Sequence, residues 1–330
     1  MLTWRRLLEA IDGRGGAAMV TVAATRGSAP REAGARMIVN RDGTFSGTIG
    51  GGTLEWRAIA LAQAALERGS PAERRRFALG PELGQCCGGQ VDLVIEVFDQ
   101  ADRDVVAGFA GREARGPFAV TGRFVGRGSL ERGLSDEPLE PGTAMLAGGA
   151  LVEGFGDARR PLLLFGAGHV GKALVLALAP LPFAVSWFDP RPDAFPAYVP
   201  ANVAPRTFGE PAGAFAGAIP GSFVLVMSHS HQLDLALVQA ALSDGRFPYV
   251  GLIGSKSKRA RFEKRLAAGD VPIERIRQLV CPIGIGDIRS KAPAVIAAAT
   301  AAQLLERDEA MKAEAARDPG ALRPPGRQVG

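Results

Sequence analysis

The stretch Pro161-Leu-Leu-Leu-Phe-Gly-Ala-Gly-His-Val-Gly-Lys-Ala-Leu174 decides the reading of this chain. An apolar run, PLLLF, is followed by G-x-G-x-x-G at Gly166, Gly168 and Gly171, and a helical pattern starts at once. That context, strand then glycine loop then helix, separates a dinucleotide fingerprint from a chance match. Gly166 allows the tight turn, Gly168 lets backbone approach a pyrophosphate, and Gly171 lets the helix pack on the strand. Asp189 closes the next strand candidate, FAVSWFD, where a carboxylate accepts from ribose hydroxyls. The competing reading keeps the glycines for packing alone, with another phosphate or no ligand bound.

Outward from this loop, strand and helix candidates alternate. They run HVGKALVLALA, FAVSWFD, FVLVMS, LDLALVQAAL, YVGLIG, KSKRARFEKRL, RQLVC and PAVIAAATAAQLLERDEA. Alternation at these lengths predicts an α/β fold, a Rossmann-like doubly wound parallel sheet over 160–311. Residues 312–330 have few core formers and are expected to form a flexible tail. The first 125 residues read as a separate α/β domain. It has strands at AAMVTVAAT, ARMIV and VDLVIEVF and a helix at TLEWRAIALAQAALERG. Between the two, 126–159 is glycine-rich, polar and weakly periodic, and is expected to be a connecting region with short strands.

The chain has 330 residues, 47% of them apolar and 22% charged, with a formal net charge of +5. Its arginine clusters, Arg74 to Arg76 and Lys256 to Arg265, lack interleaved aromatics, which argues against nucleic acid and for a small anionic ligand. Three cysteines make no disulfide framework and suggest a reducing compartment. MLTWRRLLEAIDG reads as an amphipathic helix without a signal-peptide core. The longest apolar stretch is short and broken by Pro180 and Pro182, so no membrane association and a cytoplasmic protein are expected.

Two cysteines sit together in Leu83-Gly-Gln-Cys-Cys-Gly-Gly89. Adjacent cysteines rarely reach relaxed disulfide geometry. The pair is therefore a buried set of small hydrophobes, a redox switch, or a soft metal ligand. All three histidines fall in loops at the predicted ligand edge: His169 in the glycine loop, His229 and His231 after FVLVM. An H-x-H pair supplies two imidazoles to a metal, with Asp234 the nearest carboxylate; the plainer reading is a serine-capped helix. The turn Gly251 to Arg259, with Lys256 at a helix start, favours an anion or is simply a capped basic helix. Cys281 ends a later strand and reads as buried.

Several of these stretches together resemble one family. "TRGSAPREAGARMIV", "GTIGGGTLEW", "LGQCCGG", "LFGAGHVGKAL", "SHSHQLDLALVQAAL", "YVGLIGSKSKRARF" and "CPIGIGDIRSKAPAVIAAATAAQLL" are similar to the XdhC/CoxI family of molybdoenzyme accessory proteins, the XdhC branch in particular. Ser228, often a threonine there, and Gly286-Asp287 depart from the common pattern. The resemblance implies a protein that binds the molybdenum cofactor (molybdopterin), supports its sulfuration by a cysteine desulfurase and inserts it into xanthine dehydrogenase, in purine catabolism. The resemblance thus implies a chaperone rather than an enzyme. The partners implied are the xanthine dehydrogenase molybdenum subunit, the desulfurase and cofactor biosynthesis proteins; a homodimer is allowed.

A family cysteine holds the cofactor, and the matching positions are Cys86 and Cys87. Cys87, beside Gly88 and Gly89, is favoured as molybdenum ligand, though the sequence does not separate the two. Arg26, Arg31, Arg36 and the turn carrying Gly50 and Gly51 are candidates to meet the terminal phosphate. The expected ligand site lies in a cleft, with the cysteines on one side and Gly168, His229 and Lys256 on the other. The alternative is an NAD(P)-dependent oxidoreductase using the glycine loop.

Overall fold

The computed structural model describes residues 2–84, 87–125, 128–157, 159–286 and 288–317. The chain separates into two compact units, 1–158 and 159–330.

In the first unit, helix α1 (Thr3–Arg14) leads into β1 (Gly16–Arg26), β2 (Arg36–Asn40) and β3 (Phe45–Gly47). Helix α2 (Gly52–Arg68), β4 (Ala72–Ala78), α3 (Leu79–Leu83), β5 (Gln90–Asp99) and α4 (Arg103–Glu113) follow. The strands form an antiparallel sheet in the order β3-β2-β1-β5-β4. Helix α2 buries Leu54, Ala58, Ile59, Ala62, Ala65 and Leu66, the one-faced spacing of an amphipathic helix, and ends on left-handed Gly69. Helix α1 begins on no side chain of its own. Its first amides donate instead to the buried Glu113 carboxylate at the end of α4, at 2.8 Å from Thr3 and 2.9 Å from Trp4. Trp4 then packs among Phe98, Phe109 and Phe155.

The stretch expected to connect two domains is itself a sheet. Strands β6 (Phe118–Val125), β7 (Ser129–Leu134), β8 (Ala144–Ala147) and β9 (Ala150–Phe155) pair antiparallel in the order β7-β6-β9-β8, within the first unit. The short strands expected here therefore belong to the first unit rather than to a connector. Gly154 lies where a Cβ would stand 2.1 Å from the Glu140 carbonyl, so the residue reflects close packing rather than a loop. The sheet joins the first through charge. Glu153, Glu96, Arg132 and Arg36 are all buried; Arg36 Nε lies 3.1 Å from Glu153, and Arg132 bridges Glu153 and Glu96. Burial alone would raise the Glu153 carboxyl, but Arg132 and Arg36 outweigh it and hold the group below its ordinary range.

In the second unit, β10 (Arg160–Phe165), α5 (His169–Ala177), β11 (Phe183–Phe188), β12 (Val203–Arg206) and β13 (Phe223–Val226) precede α6 (His231–Asp244). Then come β14 (Tyr249–Leu252), α7 (Lys256–Ala268), α8 (Ile273–Arg277), β15 (Leu279–Val280) and α9 (Pro293–Arg317). The sheet is parallel throughout, in the order β12-β11-β10-β13-β14-β15. This is the doubly wound order, with its reversal between β10 and β13. β10 and β13 are buried runs of Leu, Phe and Val, as strands covered on both faces must be. Helix α9 packs Ala297, Ala301 and Leu304 on the core and continues to Arg317, past the expected boundary at 311, where Lys312 Nζ lies 2.7 Å from Asp308 one turn back. Among the described residues no helix is long and apolar enough to cross a membrane.

Candidate functional site

The glycine loop leaves the carboxyl end of β10, beside the sheet reversal. Its three glycines do different work. Gly166 has φ +117°, and a Cβ there would stand 2.3 Å from the Met227 carbonyl oxygen. Its own carbonyl accepts from the Trp187 indole at 3.0 Å. A Cβ on Gly171 would meet the Gly166 oxygen at 2.1 Å. These two are packing glycines. Gly168 is extended (φ −75°, ψ −173°), and a Cβ there would meet nothing within 4 Å. Gly168 caps α5 without a side-chain bond, whereas Ser230 and Ser255 cap α6 and α7. The protein's own packing thus gives no reason for glycine at 168.

Asp189 lies at the end of β11, as expected, but not open to a ribose. It is fully buried. Its Oδ2 accepts from the Ala167 amide at 2.8 Å and from Arg191 Nη2 at 3.2 Å; Oδ1 accepts from the Arg191 amide at 3.0 Å and Nε at 2.9 Å. Burial pushes this carboxyl up. The hydrogen bonds from Arg191 and the Ala167 amide more than offset that, so it sits below its usual range. The carboxylate pins the glycine loop and orients Arg191.

After β13, Ser228 donates through Oγ to Asp234 Oδ1 at 2.7 Å, with its amide 3.0 Å from the same oxygen. Ser230 accepts from the Leu233 amide and caps α6. His169, His229 and His231 are all exposed. Asp234, the carboxylate considered for a metal, is buried and bound to Lys258 Nζ at 2.7 Å; Lys258 also donates to the Ile253 carbonyl at 2.9 Å. Among the described residues no group of three His, Cys, Asp or Glu side chains is placed to hold a metal ion. Lys256 starts α7, exposed, at a groove of about 620 Å³ lined also by Arg259, Arg277, Cys281 and Pro282. Burial pushes the Cys281 thiol up, so this cysteine is a protonated core group.

In the first unit, three loops meet at one end of the antiparallel sheet. The Gly89 amide donates to the Ser28 carbonyl at 3.1 Å, and a Cβ on Gly89 would stand 2.3 Å from that oxygen. Gly50 packs its α-carbon face against Pro30. Cys87 is half-buried against the core, and Gly88 beside it opens on empty space. Cys86 lies outside the described residues, as does Asp287.

The turn carrying Gly50 and Gly51 is already occupied by a carboxylate. Glu55 Oε2 accepts from Thr48 Oγ1 at 2.6 Å and from the Ile49 and Gly51 amides at 3.1 and 3.3 Å. Its expected role toward a phosphate is therefore filled by the chain itself. Arg36 is likewise withdrawn from any ligand, buried on Glu153 and over the Phe155 ring. Arg26 and Arg31 are exposed, Arg31 at 3.7 Å from Glu32. Sequence reasoning missed Glu55, Arg191 and Lys258. The only signals were a glutamate in the first turn after GGG and an arginine two residues past Asp189.

Two family models match in succession: "XdhC and CoxI family" over residues 10–78 and "XdhC Rossmann domain" over 162–304. The Escherichia coli (strain K12) molybdenum cofactor insertion chaperone PaoD is 27% identical over 293 residues, 85% of this chain and 80% of PaoD. The uncharacterized protein YqeB of the same organism is 27% identical over 303 residues; the match takes 88% of this chain but only 43% of YqeB. A Bacillus halodurans crystal structure described as a xanthine dehydrogenase shares the fold: TM-score 0.74, 21% identity, 93% of this chain and 96% of that one.

Proposed function

The chain belongs to the XdhC and CoxI family, and we propose that it is a molybdenum cofactor chaperone, holding the cofactor on its N-terminal unit and handing it to a molybdoenzyme. The observation that carries this is the similarity to PaoD across most of both chains. The residues fit such a cargo. Cys87 offers a half-buried thiol at a loop end, and Gly88 leaves open space beside it. A thiolate suits a soft, oxidation-prone molybdenum centre, and a bare backbone lets amides approach oxo groups and pterin closely. Arg26 and Arg31 remain as the exposed cations for the terminal phosphate.

In this reading Cys87 holds the metal, Gly88 and Gly89 shape the cradle, and Glu55 keeps the neighbouring turn rigid. The protein works in the cytoplasm as an accessory rather than a catalyst. A cysteine desulfurase sulfurates the bound cofactor, and the acceptor is the molybdenum subunit of a xanthine dehydrogenase serving purine catabolism. Delivery is tested by mixing cofactor-loaded protein with apo-xanthine dehydrogenase under argon and following urate formation. Loaded wild type should activate the acceptor faster than free cofactor does. Equal rates would reject delivery.

A second reading adds to the first. Gly168 has no packing reason to be glycine, which favours a dinucleotide of the NAD(P) class against the glycine loop. The exposed histidines supply no buried, oriented acid or base for hydride transfer, so this reading is one of binding.

A further inference from the structure

In a doubly wound sheet that binds NAD, the carboxylate ending the second strand accepts the adenosine ribose diol. A nearby arginine instead accommodates a 2′-phosphate. Asp189 holds the carboxylate position and Arg191 follows it. The carboxylate is fully buried and shared among the Ala167 amide, the Arg191 amide and the Arg191 guanidinium. The guanidinium commits its Nε and one Nη2 hydrogen to Asp189, and three of its five donors stay available. Its side chain is 47% exposed.

Arg206 strengthens the same end of the sheet. It closes β12 in register with Phe188, is exposed, and its carbonyl accepts the Asp189 amide at 3.3 Å. Asp193, exposed, is the acidic residue of the following turn that acts on Arg191. At the end of β11 the Asp189 carboxylate is therefore buried and already bonded, while a fixed guanidinium has donors to spare.

We propose that the Rossmann unit takes the 2′-phosphorylated dinucleotide, NADP, in preference to NAD, and that Arg191 is the residue that selects it. This rests on the dinucleotide reading of the glycine loop. Arg191 is preorganised: Asp189 fixes its fork, so little rotamer freedom is lost when a phosphate arrives. Asp189 acts through Arg191 and is a positioning residue.

Isothermal titration of the full chain with NADP⁺ and with NAD⁺ at low salt tests this. NADP⁺ should bind tighter by about tenfold to a hundredfold, the range of a hydrogen bond to a charged group. Arg191→Ala should abolish that ratio and leave NAD⁺ binding equal or better, because Asp189 is released toward the ribose. Arg191→Lys should keep part of the preference, and melting curves on both variants check the fold. Equal or tighter NAD⁺ binding in the wild type, or an unchanged ratio in a folded Arg191→Ala, would overturn the assignment. Heat from neither nucleotide would remove the dinucleotide reading beneath it. The chaperone proposal would stand untouched, since it is read from molybdenum and pterin on the wild-type protein.

Discussion

Replacing Gly168 with alanine should cost the fold almost nothing, whereas the same change at Gly166 should be severe. At 168 the backbone is extended and a Cβ meets open space. Alanine is a poorer helix cap than glycine by about 0.5–1 kcal/mol. It also restricts the unfolded chain, which returns about 0.4–1 kcal/mol. The two nearly cancel, leaving a change within about 0.5 kcal/mol, or about 2 °C in Tm for a unit of this size. At 166 the positive φ and a Cβ 2.3 Å from a backbone oxygen both oppose alanine. Strain and overpacking together come to about 2–5 kcal/mol, on the order of 10 °C. Thermal melts by far-UV circular dichroism read the difference, and NADP⁺ titration reads the consequence: Gly168→Ala should melt like wild type and bind nucleotide worse. A Gly168→Ala as unstable as Gly166→Ala would show that the glycine is there for packing, and would sink the argument that it faces a ligand.

Other expectations follow from particular contacts. Arg132→Met leaves Glu96 and Glu153 short of a partner in the core and should cost about 3–5 kcal/mol in urea unfolding; adding Glu96→Gln should recover part of it. Glu153 titrates below its ordinary value when folded, so its contribution is present above the ordinary carboxylate range and lost as pH falls through the lower folded value. Glu153→Gln should accordingly flatten the acid limb of the stability profile, and an unaltered limb would contradict the assignment. Glu55→Ala should cost about 1–2 kcal/mol through the amides it leaves unpaired, measured by the same unfolding. Alkylation of native protein at neutral pH, mapped by peptide mass spectrometry, should mark Cys87 well before the buried Cys281, whose raised thiol pKa delays it further.

The second unit was largely legible because its signals are local. PLLLF, the glycine loop and the following helix lie within seventeen residues, and a parallel strand buried on both faces reads as an apolar run. The order of the six strands was not written in any one of them; right-handed crossovers narrow the possible orders without choosing one. Short strands were expected over 126–159, but not their closure with β6 into one sheet, which is held by charges from distant positions. Arg36 meets Glu153 across 117 residues, and no periodicity in either strand announces that pairing. Asp189 was placed correctly and its use was not: a position at a strand end says where a carboxylate lies, while Ala167 and Arg191 decide what it binds. The same holds for Gly50 and Gly51, whose turn looked ready for a phosphate until Glu55, from the helix it opens, filled it.

If this chain holds the molybdenum cofactor through the cysteine loop, the cofactor should travel with it and depend on Cys87. The direct measurement is anaerobic mixing with isolated cofactor, then gel filtration with molybdenum and pterin fluorescence read on the protein peak. Wild type, Cys86→Ala, Cys87→Ala and, as the core control, Cys281→Ala run side by side. Both signals should appear on the wild-type and Cys281→Ala peaks and be lost from Cys87→Ala. No molybdenum or pterin on the wild-type peak, or full retention in Cys87→Ala, would contradict it.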